Sequence, residues 1–427
     1  MSAKRAGLAG SKKVYCEFLA KALAGMKRGL LTMEMPGGSQ LRFGSDGAED
    51  LEGPPPRATM KIRNESFFRK CVLFGDVGFG EAYVNGDWET ESLFDVFSWF
   101  IRNAAQAPTL SATQLTRRLI NWMSAWNRLI HFFRSNTVRR SRNNIAAHYD
   151  LSNELFELFL DPTLTYSCAY FERPGQSLEA AQTAKYDVLC RKLRLKPSDH
   201  VLEIGCGWGG FSLHAAQRYG CRITAITISR RQFEYAKKRI QDAGLRGQVD
   251  VELVDYRQVE GRFDKIVSIE MLEAVGHRFL QAFFSKCHAV LKPHGLLGLQ
   301  VIVCPDSRYD RLRQGVDWIQ KHIFPGSLLP SLGALGAAVN RTGDLMLHHL
   351  EDMGAFYSRT LGLWCEAFNA RREAVQALGF DEAFIRKWNY YLRYCQAAFY
   401  WRYISVVQAI YSRPDNHTLN EVLGVLS

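Results

Sequence analysis

From about residue 145 to residue 303 the chain alternates short apolar runs with amphipathic stretches, and this alternation limits its fold more than any other feature. "HVLEIG" reads as a buried strand and "GGFSLHAAQRYG" as a helix stopped by Gly220. "CRITAITIS" follows as a strand and "RRQFEYAKKRIQDAG" as a helix stopped by Gly244. "VDVELVD", "FDKIVSIE", the helix "RFLQAFFSKCHAVLKPHG" and the strand "LLGLQVIV" continue the pattern. Strands separated by helices pair in parallel and need helices on both faces, so the expected core is a doubly wound α/β sheet.

A chain of 427 residues exceeds one usual core, which predicts a large domain and a smaller one. Residues 1 to about 55 are rich in Gly, Ser and Lys and end in "GAEDLEGPPPRA", an irregular connection. "ATMKIRNESFFRKCVLFGDVGFGEAYVNGDWET" then predicts short alternating strands with Gly and Asn-Gly turns. The helix "SLFDVFSWFIRNAAQ", capped by Ser92, completes a small α+β unit. The segment 114–144 spaces Leu115, Leu119, Trp122, Met123, Trp126, Leu129, Ile130 and Phe133 three or four apart, with seven arginines among and after them. It reads either as a linker helix or as one lying on an anionic bilayer, since tryptophan and arginine suit a head-group layer. His148 and Asp150, just beyond it, either steer a ligand entrance or cap a helix.

Composition removes several classes. The ten cysteines include no C-x-x-C pair and no zinc spacing, so they read as reduced thiols and no metal is expected. The basic start is interrupted by lysines before any apolar run reaches signal-peptide length, and no window approaches the roughly 20 apolar residues that span a bilayer. The expectation is a cytoplasmic protein whose membrane contact, if present, is peripheral. A net charge of +11 favours anionic partners. No base-reading motif accompanies it, so nucleic acid is not expected.

The loop "VLEIGCGWGG" joins the first strand to a helix, and Gly205, Gly207 and Gly209 let the backbone approach a ligand. A dinucleotide site needs G-x-G-x-x-G and a carboxylate roughly 20 residues on. The next strand ends "TAITIS" without one, and no Gly-Lys-Ser/Thr follows, so neither NAD nor a P-loop fits. Glu203, two positions before the first glycine, matches the loop of S-adenosylmethionine-dependent methyltransferases. Asp255 and Tyr256 of "LVDYRQV" fall where a third strand would meet an adenine.

"HYDLSNELFELFLDPTLTYSCAYF", "VLEIGCGWGG", "TISRRQ", "VSIEMLEAVGH", "FPGSLLPS" and "FYSRTLGLW" together resemble the cyclopropane-fatty-acyl-phospholipid synthase family, which includes the mycolic acid cyclopropane synthases. The resemblance implies a Rossmann-like class I methyltransferase sheet over residues 141–427 with a helical lid inserted at about 306–372. It also implies a small N-terminal α+β lipid-binding domain over 1–140. Its implied cofactor is S-adenosylmethionine, touched by Tyr166 and Ser167, with Gly205 and Gly207 beneath it and Glu203 at the loop. Thr227 and Gln232 would take the ribose and adenine side, and Asp255 and Tyr256 the adenine. A bicarbonate ion would sit beside the transferred methyl, held by Cys168, Glu273 and Tyr357. At the place of the family's histidine ligand this chain has Gln300, which hydrogen-bonds but carries no positive charge.

The implied reaction places the methyl(ene) carbon of S-adenosylmethionine on the cis double bond of an unsaturated phospholipid acyl chain in an anionic membrane, forming a cyclopropane ring, with bicarbonate as base. A methyl-branched or methylene product, or a non-catalytic lipid-binding relative, stays open, as does a homodimer. Tyr166, Tyr170, Phe171, Phe356, Tyr357 and Trp364 are the aromatic residues expected to wall such a chamber.

Overall fold

The computed structural model describes residues 14–45, 55–104 and 152–422. The amphipathic segment 114–144, His148 and Asp150 lie outside them. In chain order the elements begin with α1 (14–23), β1 (Gly29–Glu34), β2 (Gln40–Ser45), β3 (Arg57–Ile62), α2 (Ser66–Val84), β4 (Trp88–Glu89) and α3 (Leu93–Asn103). Then come α4 (Asn153–Glu157), α5 (Leu178–Lys192), β5 (His200–Ile204), α6 (Gly210–Tyr219), β6 (Arg222–Thr227), α7 (Arg230–Asp242), β7 (Val249–Leu253) and β8 (Phe263–Ile269). The chain continues with α8 (Leu280–Val290), β9 (Leu291–Val303), α9 (Asp306–Leu312), α10 (Trp318–His322), α11 (Leu332–Val339) and β10 (Met346–Asp352). It closes with α12 (Gly354–Ala370), α13 (Arg372–Ala377), α14 (Glu382–Tyr400) and β11 (Ser405–Ser412).

These elements form two compact units. The first joins the described residues up to 104 with Gly315–Ile323 and Trp364–Tyr403; the second holds the rest. In the first unit the sheet runs β2-β1-β3-β4, with β1 and β3 parallel and the other pairs antiparallel. Trp88, Trp99 and Trp388 are fully buried there, and Tyr390 of α14 meets Phe97 of α3 edge-on at 4.9 Å. Arg386 of α14 donates to the carbonyls of Tyr83 and Trp88 at 2.7 and 2.9 Å, satisfying backbone groups at the end of α2 and in β4.

Two sequence expectations change here. The stretch expected as short alternating strands holds two, β3 and the two-residue β4, separated by the 19-residue helix α2. Its glycines serve packing more than turns. A Cβ on Gly80 would stand 2.4 Å from the Trp318 ring, and one on Gly78 only 2.0 Å from the Lys70 carbonyl oxygen; only Gly75, at φ 58°, breaks the helical path. The helix expected to reach Gly295 stops at Val290. Pro293 cannot continue it and biases Lys292 toward extended backbone, so Leu291–Gly295 begin β9 instead.

The second unit is built on a seven-stranded sheet, β10-β11-β9-β8-β5-β6-β7, in which β11 runs antiparallel to both neighbours and the other pairs are parallel. Both faces are covered, and alternate residues serve opposite layers. Leu202, Ile204 and Ile266 pack with Phe283, Phe284 and Cys287 of α8, whereas Val201 and Val267 pack with Leu189 of α5, with Leu193 just past its end and with Phe211 of α6. Within the span read as a lid, β10 is an edge strand of this sheet, and Leu335, Ala338 and Val339 of α11 belong to its core. The chain leaves β5 toward β6 and β7 on one side and returns to β8 and β9 on the other. The resulting switch point lies at the carboxyl ends of β5 and β8, where such sheets bind ligands.

Candidate active site

The glycine loop sits at that switch point. Gly205, Gly207 and Gly209 have φ of 84°, 53° and 85°, the left-handed region that favours glycine. The Gly205 and Cys206 N–H groups both donate to the Ile226 carbonyl at 2.9 and 3.0 Å, which ties the loop to the end of β6. A Cβ on Gly207 would meet nothing within 4 Å, so the loop leaves open space there, as the methionine end of S-adenosylmethionine requires. Glu203 lies buried beneath the loop and accepts from the Ser212 hydroxyl of α6. Burial pushes its carboxyl up to about 8 against the opposing Ser212 bond and Lys185 charge, so its immediate role is to hold loop and helix together.

Beyond β6, the Thr227 hydroxyl donates to Gln232 Oε1 at 3.0 Å, and Ser229 caps α7 by accepting from the Gln232 N–H. The expected ribose-side pair is therefore brought together. Asp255, after β7, accepts from the Arg257 N–H at 3.0 Å and from its guanidinium at 2.8 and 2.6 Å. Tyr256 turns into the core against Phe283, 5.5 Å away and edge-on. Arg257 was not singled out from the sequence; a basic residue two positions past an aspartate that opens a tight turn is a weak signal.

Three of the four residues expected to carry the chemistry, Cys168, Gln300 and Tyr357, converge on another, Glu270, while Glu273 stands apart. Glu270, at the end of β8, accepts from the Cys168 N–H at 2.8 Å and the Gln300 amide at 2.8 Å through Oε1, and from the Tyr357 hydroxyl at 2.5 Å through Oε2. Gln300 is aimed by a chain of bonds: Lys192 donates to Gln408 Oε1 at 2.7 Å, and Gln408 donates to Gln300 Oε1 at 3.1 Å. This leaves the Gln300 amide nitrogen for Glu270 and for the Cys168 carbonyl at 3.2 Å. Glu273 Oε1 accepts from the Ile302 N–H at 2.5 Å, while its Oε2 is buried with no partner. The Cys168 thiol is fully buried and points at the carbonyls of Ala169 and Met353. Burial and the Glu270 charge raise it well above the ordinary thiol range, so it is no nucleophile. Two of the ligands assigned to bicarbonate, Cys168 through its N–H and Tyr357 through its hydroxyl, are thus occupied by a carboxylate of the chain itself, together with Gln300.

Lys185 of α5, also missed from the sequence, is wholly buried and donates to the Ser167 hydroxyl at 2.8 Å. Burial lowers it to about 8, against the charges of Glu270, Cys168, Asp161 and Glu203. A lysine among Ala181, Ala184, Val188 and Leu189 on the apolar side of a helix was its only trace. Tyr166 lies edge-on to Phe156 at 5.3 Å and near Phe159 and Phe324 at 6.3 and 6.5 Å; Phe356 meets Tyr170 and Phe171 at 4.9 and 6.2 Å. Trp364 falls in the other compact unit.

The two glutamates differ. Burial, then the charge of Glu270, pushes Glu273 up to about 8, whereas Glu270 is raised by burial but held down by its three donors and Lys185. Folded Glu273 therefore keeps a proton that the unfolded chain releases near pH 4.5, and its contribution to stability falls as pH rises from about 4.5 to about 8. Glu273→Gln is expected to flatten the decline of the thermal midpoint over that window. An unchanged slope would mean that Glu273 is ionised in the fold.

Residues 136–409 match the family described as mycolic acid cyclopropane synthetase. Over 376 residues the chain is 37% identical to the tuberculostearic acid methyltransferase of Mycobacterium tuberculosis, covering 85% of each chain. Over 364 residues it is 36% identical to the cyclopropane-fatty-acyl-phospholipid synthase of Escherichia coli K12, covering 85% of this chain and 90% of that one. A solved mycolic acid cyclopropane synthase complexed with SAH and CTAB superposes with a TM-score of 0.59 at 32% identity, over 64% of this chain and 98% of that one. With its switch-point glycine loop and class I sheet, this chain belongs to the mycolic acid cyclopropane synthetase family and is an S-adenosylmethionine-dependent methyltransferase.

Proposed function

We propose that the enzyme places the methyl carbon of S-adenosylmethionine on the cis double bond of unsaturated phospholipid acyl chains and closes a cyclopropane ring. The observation that carries this reading is the Glu270 carboxylate, fixed by three donors at the carboxyl edge of the sheet. S-adenosylmethionine supplies an electrophilic methyl when bound. The chain must then hold a weakly nucleophilic double bond in line, keep water from the cation that forms on the acyl chain, and take a proton away. The rings of Tyr166, Tyr170, Phe171 and Phe356 suit the first two tasks. A ring face opposite positive charge contributes on the order of 0.5 to 2 kcal/mol.

An excess of 54 basic over 43 acidic residues supports an anionic bilayer as the source of the substrate, approached from the cytoplasmic side. No described helix is long and apolar enough to cross a membrane. In this reading residues 1–140 serve docking and the span 306–372 contributes the cover over the acyl chain. A second product class, a methylene or methyl-branched chain, is favoured by Gln300 standing where a histidine was expected and by the relative named a tuberculostearic acid methyltransferase.

The test is incubation with S-adenosylmethionine bearing a trideuterated methyl and vesicles of monounsaturated anionic phospholipid, followed by mass analysis of the released acyl chains. Two retained deuteriums in a saturated, ring-bearing chain are expected. Two with a new exocyclic double bond would assign the methylene product, and three would assign a branch made without loss from the transferred methyl. No label with the cofactor bound would reject phospholipid as substrate. Absence of cofactor binding in calorimetry would leave only a lipid-binding role.

A further inference from the structure

We propose that Glu270 is the base of the reaction, a carboxylate built into the chain at the place where the family resemblance puts a free bicarbonate ion. This rests on the methyl-transfer reading above and adds the group that removes the proton.

The argument starts from the donors. Of the groups expected to hold a small oxyanion here, the Cys168 N–H, the Tyr357 hydroxyl and the residue at 300 already donate to Glu270, which leaves Glu273 alone of the set not bonded to it. A second anion there would have to displace a carboxylate that cannot leave, or share its donors with a like charge a few ångströms away, and neither fits. The backbone agrees. Glu270 has φ of 48°, a left-handed conformation that costs an L-residue roughly 1 to 2 kcal/mol. Its N–H donates to the Gln300 carbonyl at 2.7 Å, so the strained residue is locked between β8 and β9 with its side chain fixed by three further bonds. Strain held this firmly marks a position where the side chain matters more than the backbone.

Exposure singles out the same residue. Cys168, Lys185 and Gln300 are 0%, 0% and 1% exposed, and Tyr357 and Glu273 are buried, whereas Glu270 is only partly covered. It is the member of the cluster that a bound chain can reach. Gln300 suits this arrangement better than histidine. It offers a neutral donor to Glu270 while its oxygen accepts from Gln408, so the carboxylate stays a hydrogen-bonded base and does not become half of an ion pair.

The proton and electron count closes. The alkene π pair forms the bond to the methyl carbon as the carbon–sulfur bond breaks, leaving a cation on the neighbouring chain carbon. A C–H bond of the new methyl then breaks; its proton goes to a Glu270 oxygen and its electron pair forms the last bond of the ring. In the methylene reading, hydride moves between the two chain carbons first, and the same C–H pair becomes the double bond. Glu270 ends as a neutral acid and, being itself partly exposed, returns its proton to solvent once the product has left.

Three preparations test this: the native enzyme, Glu270→Gln and Glu270→Gly, each assayed in carbonate-free buffer with and without added bicarbonate, and each titrated with bicarbonate by calorimetry. The native enzyme is expected to turn over equally in both buffers and to show no bicarbonate binding. Glu270→Gln is expected to bind S-adenosylmethionine normally while losing about 10² to 10⁴ in turnover, with residual product that keeps three deuteriums. Glu270→Gly, which relieves the strain and opens a carboxyl-sized space, is expected to bind bicarbonate and regain activity with it. Native turnover that needs bicarbonate, native binding of bicarbonate, or a Glu270→Gln enzyme that still makes two-deuterium product at the native rate would overturn the assignment. Should vesicles carry no label with any preparation, the phospholipid reading fails, and the bicarbonate titrations alone still decide for or against Glu270.

Discussion

Gly205→Ala is expected to weaken S-adenosylmethionine binding by about 10²-fold and to lower the thermal midpoint, whereas Gly207→Ala should cost affinity alone. The two glycines belong to one loop but meet different surroundings. At 205 the backbone has φ of 84°, and a Cβ would lie 2.8 and 3.0 Å from the Cγ and Cβ of Met271. Left-handed strain of roughly 1 to 2 kcal/mol adds to an overlap of roughly 1 to 3 kcal/mol, because Met271 sits between Glu270 and the buried Leu272 and has little room to retreat. The loop can escape only by loosening its bonds to Ile226, which lowers stability and blurs the cradle together. At 207, φ is 53°, close to the conformation L-residues tolerate best on that side, and a methyl would project into open space. The empty fold accepts it; the bound methionine portion does not. Calorimetry and thermal melts on both variants check this. A Gly207→Ala enzyme with native affinity would move the cofactor away from that space.

The second unit was legible because its signals are local. Buried parallel strands read as continuous apolar runs, and stops such as Gly220 and Gly244, at φ of 68° and 71°, need no distant partner. Ser92 capped its helix as expected, accepting from the Asp95 N–H at 3.2 Å. The misreading of α2 came from the same habit of treating glycine as punctuation. Gly78 and Gly80 are there because the Lys70 carbonyl and the Trp318 ring come too close for a side chain, and Trp318 is more than 200 positions away. The first unit likewise draws Gly315–Ile323 and Trp364–Tyr403 across the chain, an association without any period to read.

The site followed the same division. Cys168, Gln300 and Tyr357 could be picked out by motif, but their meeting point could not, because Glu270 and Glu273 look alike in "IEMLEAV". Only the fold separates them. One faces three donors, and the other keeps an unpartnered oxygen in a buried place. Lys185 was hidden for a related reason: a buried lysine is so costly alone that a sequence gives no ground to expect one until its anionic neighbours are known.

Lys185→Met is expected to move the acidic limb of the pH–rate profile to higher pH and to lower neutral turnover by at least tenfold. Native Lys185, at about 8, is charged at neutral pH, and its charge favours the ionised form of both Glu270 and Glu203. Methionine fills a similar volume without that charge. The Ser167 hydroxyl then loses its donor, and burial is opposed at Glu270 by neutral donors only, so a base that must be ionised to act is protonated over a wider range. Stability gives an independent reading. Between about 8 and 10.5 the unfolded chain holds the Lys185 proton and the folded chain does not, so this residue makes stability rise with pH across that window. The rise should be missing in the variant. A rate profile that keeps its acidic limb while the stability rise disappears would confine Lys185 to supporting the fold; a shifted limb would place its charge in control of the base.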